Sequence, residues 1–144
     1  MDNKLKILIP LMIAGAMTTV DTSVMNVAMP TFAESFNAPL QTVSWISSAY
    51  LLVLASLLLT SGRIGDIFGY GRPFMAGLFI LTIGTALCGF APNLTLLIIC
   101  RVFQAIGTSL IMAAIPALIT TSFPPQERGR AMGFYVISVS LGLI

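Results

Sequence analysis

The chain has 144 residues and a formal net charge of +2; 57% of its residues are hydrophobic and only 8% are charged. Soluble domains carry about 25% charged residues, so this composition excludes a water-facing globular surface and makes lipid the solvent. The small basic excess follows membrane topology and gives no reason to expect a nucleic-acid partner.

A transmembrane helix needs about 20 apolar residues at 1.5 Å rise per residue. The first such run is Ile7 to Met29, closed by Pro30. It carries Asp21, a carboxylate well inside hydrocarbon. A secretory signal is a competing reading, with a basic start and "AGA" at 14–16, but the apolar run continues past that site. The second span covers about 42–61 and stops before the glycine-rich "GRIGDIFGYGR". The third covers about 74–91; the fourth covers about 94–122, where Pro124 and Pro125 stop it. A fifth begins near Ala131 and is cut off at Ile144, too short to cross alone. The expected fold is an all-α polytopic transmembrane helical bundle of four full spans and part of a fifth over residues 1–144.

Basic residues set the expected orientation, because Lys and Arg flanking the spans stay on the cytoplasmic side. Lys4 and Lys6 precede span one, Arg63 and Arg72 lie between spans two and three, and Arg128 and Arg130 lie between spans four and five. The segments "TFAESFNAPLQ" and "PN" hold no Lys or Arg. All of these place the amino terminus inside, in a multi-pass protein of the cell membrane.

Two charges lie inside the spans, Asp21 and Arg101. At helical rise they fall about 12 Å and about 10 Å below the same outer surface. Isolated, they would cost about 5–7 kcal/mol to insert, and a contact at about 4 Å returns about 4 kcal/mol at an effective dielectric near 20. Pairing, or a shared water-filled cavity, is the expected arrangement. A purely structural salt bridge, or an Arg101 that snorkels to the surface, is the bland alternative.

Thr18, Asp21, Thr22 and Met25 share one face of span one, and Arg101, Gln104 and Thr108 share one face of span four. Thr18, Thr22, Asn26, Gln104 and Thr108 are therefore candidates to line a substrate cavity. Small residues spaced by four, Gly15/Thr19/Ser23 and Ala105/Ser109/Ala113, read equally well as helix packing. Pro116 removes a backbone hydrogen bond in span four and should bend it. Cys88 and Cys100 fall in spans three and four and signal neither redox chemistry nor a metal. With no His and no nucleophile/base cluster, nothing points to an enzyme, a metal site or a cofactor.

"GRIGDIFGYGR" resembles the loop signature of the major facilitator superfamily, roughly G-x-L-A/G-D-R-x-G-R-R/K. Gly62, Ile64, Gly65, Asp66 and Gly69 fall on the pattern; Ile67, Tyr70 and Gly71 occupy the usual basic positions, with Arg72 one place further on. "VDTSVMNVAMP" and "RVFQAIGTSL" resemble the span-one and span-four signatures of the fourteen-span drug:proton antiporters, with Arg101, Gln104 and Gly107 matching and Ala105 in place of a Gly. "PPQERGRAMG" resembles the segment before span five.

The resemblance implies efflux of varied, often cationic or amphipathic compounds, driven by proton entry through alternating access, with Asp21 and Arg101 as the proton-coupling residues. It places Asp66 in a cytoplasmic latch, with Arg128 or Arg72 as partner. Such transporters need two six-span halves around a midplane site, so the chain is expected to be an amino-terminal portion that needs further spans or a complementary chain. The expected partners are membrane lipid, small-molecule substrate and protons. A proton-coupled uptake carrier of the same superfamily and a non-transporting truncated or split fragment are the alternatives.

Overall fold

A computed structural model describes residues 2–143. Its elements in chain order are α1 (Asp2–Ser35), α2 (Leu40–Val43), α3 (Trp45–Phe68), α4 (Gly71–Gly89), α5 (Leu94–Ser122) and α6 (Pro125–Leu141). Among the described residues four segments are long and apolar enough to cross a membrane: Lys4–Ser35, Leu40–Phe68, Gly71–Gly89 and Leu94–Ser122. The chain is a multi-pass membrane protein.

Several boundaries differ from the sequence reading. Pro30 does not close the first helix: α1 runs through both Pro10 and Pro30 to Ser35. Each proline deletes one intrahelical hydrogen bond, a loss that a long membrane helix tolerates because its other backbone groups remain paired. The glycine-rich stretch is not a loop over most of its length. Helix α3 absorbs "GRIGDIF" and ends at Phe68, and Gly69 at φ +79 supplies the left-handed turn that stops it.

Pro124 and Pro125 end one helix and start the next. Phe123 is already extended after α5, and Pro125 sits in the first turn of α6, where its missing N–H costs nothing. Helix α6 thus begins six residues before the expected Ala131. Helix α5 matches the expected range and is continuous through Pro116. Its amino terminus is capped by Asn93, whose side chain accepts from the Leu96 N–H at 2.8 Å.

Helix α5 is the axis of the bundle. It packs most extensively on α4 and α3, and α1 packs on both α5 and α6. The interior forms two apolar clusters with a polar layer between them. One gathers Leu8, Leu11 and Ala14 of α1, Phe74 and Leu81 of α4, and Ile111, Ala114, Ile115 and Ile119 of α5. The other gathers Val43, Ile46 and Leu97, with Met25, Met29, Phe32 and Phe36 against them. Between these sets, α1 contributes Asp21 and α5 contributes Arg101, Gln104 and Thr108, all three buried. An apolar cluster on each side excludes water and lets polar contacts form in a low-dielectric setting.

The α4–α5 seam is set by glycine. A Cβ on Gly77 would lie 2.7 Å from the Gly107 carbonyl oxygen, and a Cβ on Gly107 would lie 2.8 Å from the Gly77 oxygen. The two backbones touch there, as small residues permit between membrane helices. Further along the same seam, a Cβ on Gly84 would meet Cγ of Gln104 at 2.5 Å, so Gly84 makes the room that Gln104 fills.

Candidate functional site

The buried ion pair joins α1 to α5. Arg101 Nη1 donates to Asp21 Oδ2 at 2.5 Å, and its Nη2 donates to the Asp21 backbone oxygen at 3.3 Å. The Arg101 side chain is 2% exposed and that of Asp21 15% exposed. Desolvation makes such a pair expensive unless its remaining donors and acceptors are satisfied, and here they are. Among the described residues no buried side-chain nitrogen or oxygen lacks a partner.

Gln104 does most of that satisfying. Its Oε1 accepts from Arg101 Nη1 at 2.9 Å and from the Cys88 thiol at 3.4 Å; its Nε2 donates to Asp21 Oδ1 at 3.3 Å and to Thr85 Oγ1 at 2.8 Å. On the opposite side of the guanidinium, the Tyr50 ring centroid lies 5.4 Å from Arg101 Cζ, a cation–π arrangement. The Tyr50 hydroxyl donates to Thr108 Oγ1 at 3.1 Å, and Thr108 donates to the Gln104 backbone oxygen at 3.1 Å. Helices α1, α3, α4 and α5 therefore meet at one polar node.

The candidate cavity residues divide into two groups. Gln104 and Thr108 are 0% and 1% exposed and bonded within the node, and Thr108 also borders, with Thr18, Thr22 and Tyr50, a cavity of about 190 Å³. Thr18 is buried, and its hydroxyl donates to the Gly15 oxygen. Thr22 and Asn26 line a small cavity with Ser47, Tyr50 and Arg101, where the Ser47 hydroxyl donates to Asn26 Oδ1 at 3.3 Å. Asp21 instead opens toward α4, into a cavity of about 480 Å³ shared with Val20, Leu81 and Thr85. The two partners of the ion pair thus border different cavities.

Tyr50 and Thr85 belong to the node without any signal in the sequence, and Cys88, read from the sequence as a thiol without a special role, joins them. Each is an ordinary residue in an apolar span, and no spacing rule links spans two and three to span four. Of the small-residue stripes, Gly15 packs under the Tyr135 ring of α6, and Ser109 shares a hydrogen bond of 2.8 Å with Ser61 of α3.

The glycine-rich segment has different contacts from those expected. The carboxylate of Asp66 accepts from the Tyr70 hydroxyl, and the Tyr70 ring packs over Gly65, where no side chain would fit. Bonding to Asp66, reinforced by burial and by the carboxylate's charge, raises the Tyr70 pKa above its ordinary value. Neither Arg72 nor Arg128 pairs with Asp66: among the described residues the ion pairs are Arg101–Asp21 and Lys4–Glu127. Arg128 Nε instead donates to the Phe123 backbone oxygen at 3.0 Å, just past the end of α5. Gly62 is helical within α3, and Arg72 lies in the first turn of α4.

The family model for the Major Facilitator Superfamily matches residues 11–144. The chain belongs to this superfamily. Similar superfamily proteins include the riboflavin transporter RibZ of Clostridioides difficile, 38% identical over 142 residues, covering 99% of this chain and 31% of the relative. A multidrug resistance protein B homolog of Mycobacterium tuberculosis is 36% identical over 130 residues, 90% of this chain and 24% of the relative. The methylenomycin A resistance protein of Bacillus subtilis is 33% identical over 137 residues, 94% of this chain and 29% of the relative. The chain thus spans a third or less of the length of these curated relatives. Membership in this superfamily makes it a transporter-family chain and not an enzyme.

Proposed function

We propose that this chain is the amino-terminal part of a proton-coupled efflux transporter for drugs or other small amphipathic or cationic compounds. The observation that carries this reading is the buried Arg101–Asp21 pair, because ionisable groups kept inside a membrane protein mark ion or substrate paths. The drug-resistance relatives support export. In this reading Asp21 takes and releases the coupling proton, Arg101 holds its deprotonated form, and Thr22 and Asn26 face substrate. The amino terminus lies in the cytoplasm, the protein sits in the cell membrane, and further spans complete the alternating-access path. Asp66 acts in the cytoplasmic gate, exchanging its Tyr70 contact for Arg72, Arg128 or a helix terminus as the gate moves.

The riboflavin-transporter relative supports a second solute, riboflavin, and a second reading is an uptake carrier of the same superfamily. Everted vesicles containing the full-length transporter test both. Ethidium accumulation driven by an inward-acidic gradient, and lost in Asp21→Asn at equal expression, is the expected result. Accumulation that stays proton-dependent in Asp21→Asn dismisses Asp21 as the coupling site. Riboflavin movement in the uptake direction establishes the second reading.

A further inference from the structure

The short connection over residues 90–93 folds α5 back along α4 as an αα-hairpin, and close contacts fix its register. A Cβ on Gly77 would meet the Ile111 side chain at 2.9 Å, and a Cβ on Gly84 would meet the Gln104 Cα at 3.4 Å. From the first contact to the second, α4 advances from 77 to 84 while α5 retreats from 111 to 104, an equal shift on both arms. One further turn, from 84 to 88 and from 104 to 100, sets Cys88 opposite Cys100. The two thiols interact across the seam there, and the Cys88 thiol is drawn toward α5 by its bond to Gln104 Oε1 at 3.4 Å. Their spacing along the chain carries no signal, because only the hairpin register brings them together.

The two thiols differ in access. Cys100 is buried, at 6% exposed. Cys88 is half-buried and lines a cavity of about 370 Å³ with Met25, Phe32, Phe36 and Leu97. The Phe32 and Phe36 rings stack with centroids 6.2 Å apart. The cavity therefore has an aromatic and aliphatic wall with one thiol at its surface and a second behind the first. Asp21 borders the same cavity, but its carboxylate oxygens are taken by Arg101 and Gln104. Among the described residues no group of three or more His, Cys, Asp or Glu is placed to hold a metal ion, so ions that need three or four protein donors are not matched. A soft centre that takes two sulfurs and brings its own organic group is matched.

We propose that Cys88 and Cys100 form a dithiol site for trivalent aryl arsenicals, with the aryl ring against Phe32 and Phe36 and the arsenic bridging α4 to α5. The hydrated arsenical carries two As–OH groups. Cys88 reacts first from the cavity and Cys100 second: two As–S bonds form, two As–O bonds break, and each thiol proton leaves with a hydroxyl as water. Arsenic stays trivalent, so the step needs neither oxidant nor reductant. Neither the direction of transport nor its ion coupling enters this chemistry.

The test uses phenylarsine oxide on the purified full-length transporter in detergent, with every cysteine other than Cys88 and Cys100 replaced by Ser. Intact-protein mass spectrometry should find one phenylarsenic group per chain, and a maleimide added after denaturation should label neither thiol. Dimercaptopropanol, a dithiol, should restore both; mercaptoethanol, a monothiol, at the same thiol concentration should restore neither. Cys88→Ser and Cys100→Ala each leave one sulfur, so protection of the remaining thiol should need about a hundredfold more arsenical and should be reversed by the monothiol. Moving the second thiol by one position, Cys100→Ala with Ile99→Cys, should have the same effect, because position 99 is turned about 100° from position 100 and Ile99 is 57% exposed. Gel filtration identifies the folded variants, and this displaced pair serves where a single-cysteine variant does not fold.

Full maleimide labelling of both thiols after arsenical treatment overturns the proposal. Two phenylarsenic groups per chain, or reversal by the monothiol in the two-cysteine protein, overturns it in favour of separate thiols. Equal protection in the displaced pair overturns it as well, by showing that any two neighbouring thiols are captured whatever the hairpin register.

Discussion

The α4–α5 seam and the α1–α5 seam share one helix and use opposite chemistries. On α4, Gly77 and Gly107 bring the backbones into contact, and Leu81, Ile111 and Ile115 fill the space beside them. On α1, the helices near Asp21 are joined by an ion pair and a buried amide. Close packing is stable whatever the protonation state, because its energy comes from many short dispersion contacts. A polar contact of this kind depends on one proton, because losing one charge removes the partner of another. The first seam depends on shape and the second on charge.

The largest expected effect breaks the second seam. Asp21→Leu strands the Arg101 guanidinium in a dry site, and the full-length protein should lose about 3–5 kcal/mol in a denaturant titration in micelles. Adding Arg101→Met should recover most of that loss, since a matched apolar pair costs no desolvation. Failure to recover would show that the polar node carries more of the packing than its ion pair does.

The first seam should break less severely. Gly107→Val drives a side chain against the Gly77 oxygen and the Leu81 nitrogen, each 2.8 Å from the position of a Cβ. Overpacking of this kind costs about 1–3 kcal/mol. The ion pair should be unaffected: Asp21→Leu should cost as much in the Gly107→Val background as alone, and a non-additive loss would blur the distinction between the seams. The second ion pair sharpens the contrast between buried and exposed charges. Lys4 and Glu127 meet at 2.6 Å with side chains 43% and 49% exposed, so Lys4→Gln should cost no more than about 1 kcal/mol, vanishing in high salt.

The smallest expected effect lies outside the spans. The Tyr70 pKa is raised, chiefly by its bond to Asp66. That bond contributes below the ordinary tyrosine value near 10 and is lost as pH rises through the higher folded value. Difference absorbance against Tyr70→Phe should show the phenolate forming above the ordinary value, and Asp66→Asn should bring it back down. An unmoved titration in Asp66→Asn would remove Asp66 as the cause.

Much of the fold was legible because lipid leaves few solutions. A membrane helix must be long, apolar and internally hydrogen-bonded, so four spans could be read from hydropathy alone, the fourth over about 94–122. The ends of α1 and α3 lie beyond the proline and glycines that the sequence suggests as breakers. Membrane helices tolerate both when neighbours or ordered waters satisfy the freed groups, and Gly65 lies within α3 with the Tyr70 ring against its bare surface.

Asp21 and Arg101 were legible as a pair, since two opposite charges at matched depth in hydrocarbon have a strong reason to meet. Gln104 and Thr108 were placed on the correct face, but their burial was not foreseeable. Periodicity gives a helix face, and only the neighbours of that face decide whether it meets a cavity or another helix.

The sequence by itself determined the solvent, the spans and the depth of the two charges, because each depends on local composition and a fixed helical rise. Only the tertiary structure decided that Asp66 meets Tyr70 and not an arginine, that Arg128 caps α5, and that Thr85, Cys88 and Tyr50 complete the node. Those contacts depend on the rotation of each helix about its axis, which is set by where glycines let backbones approach and where bulky side chains hold them apart.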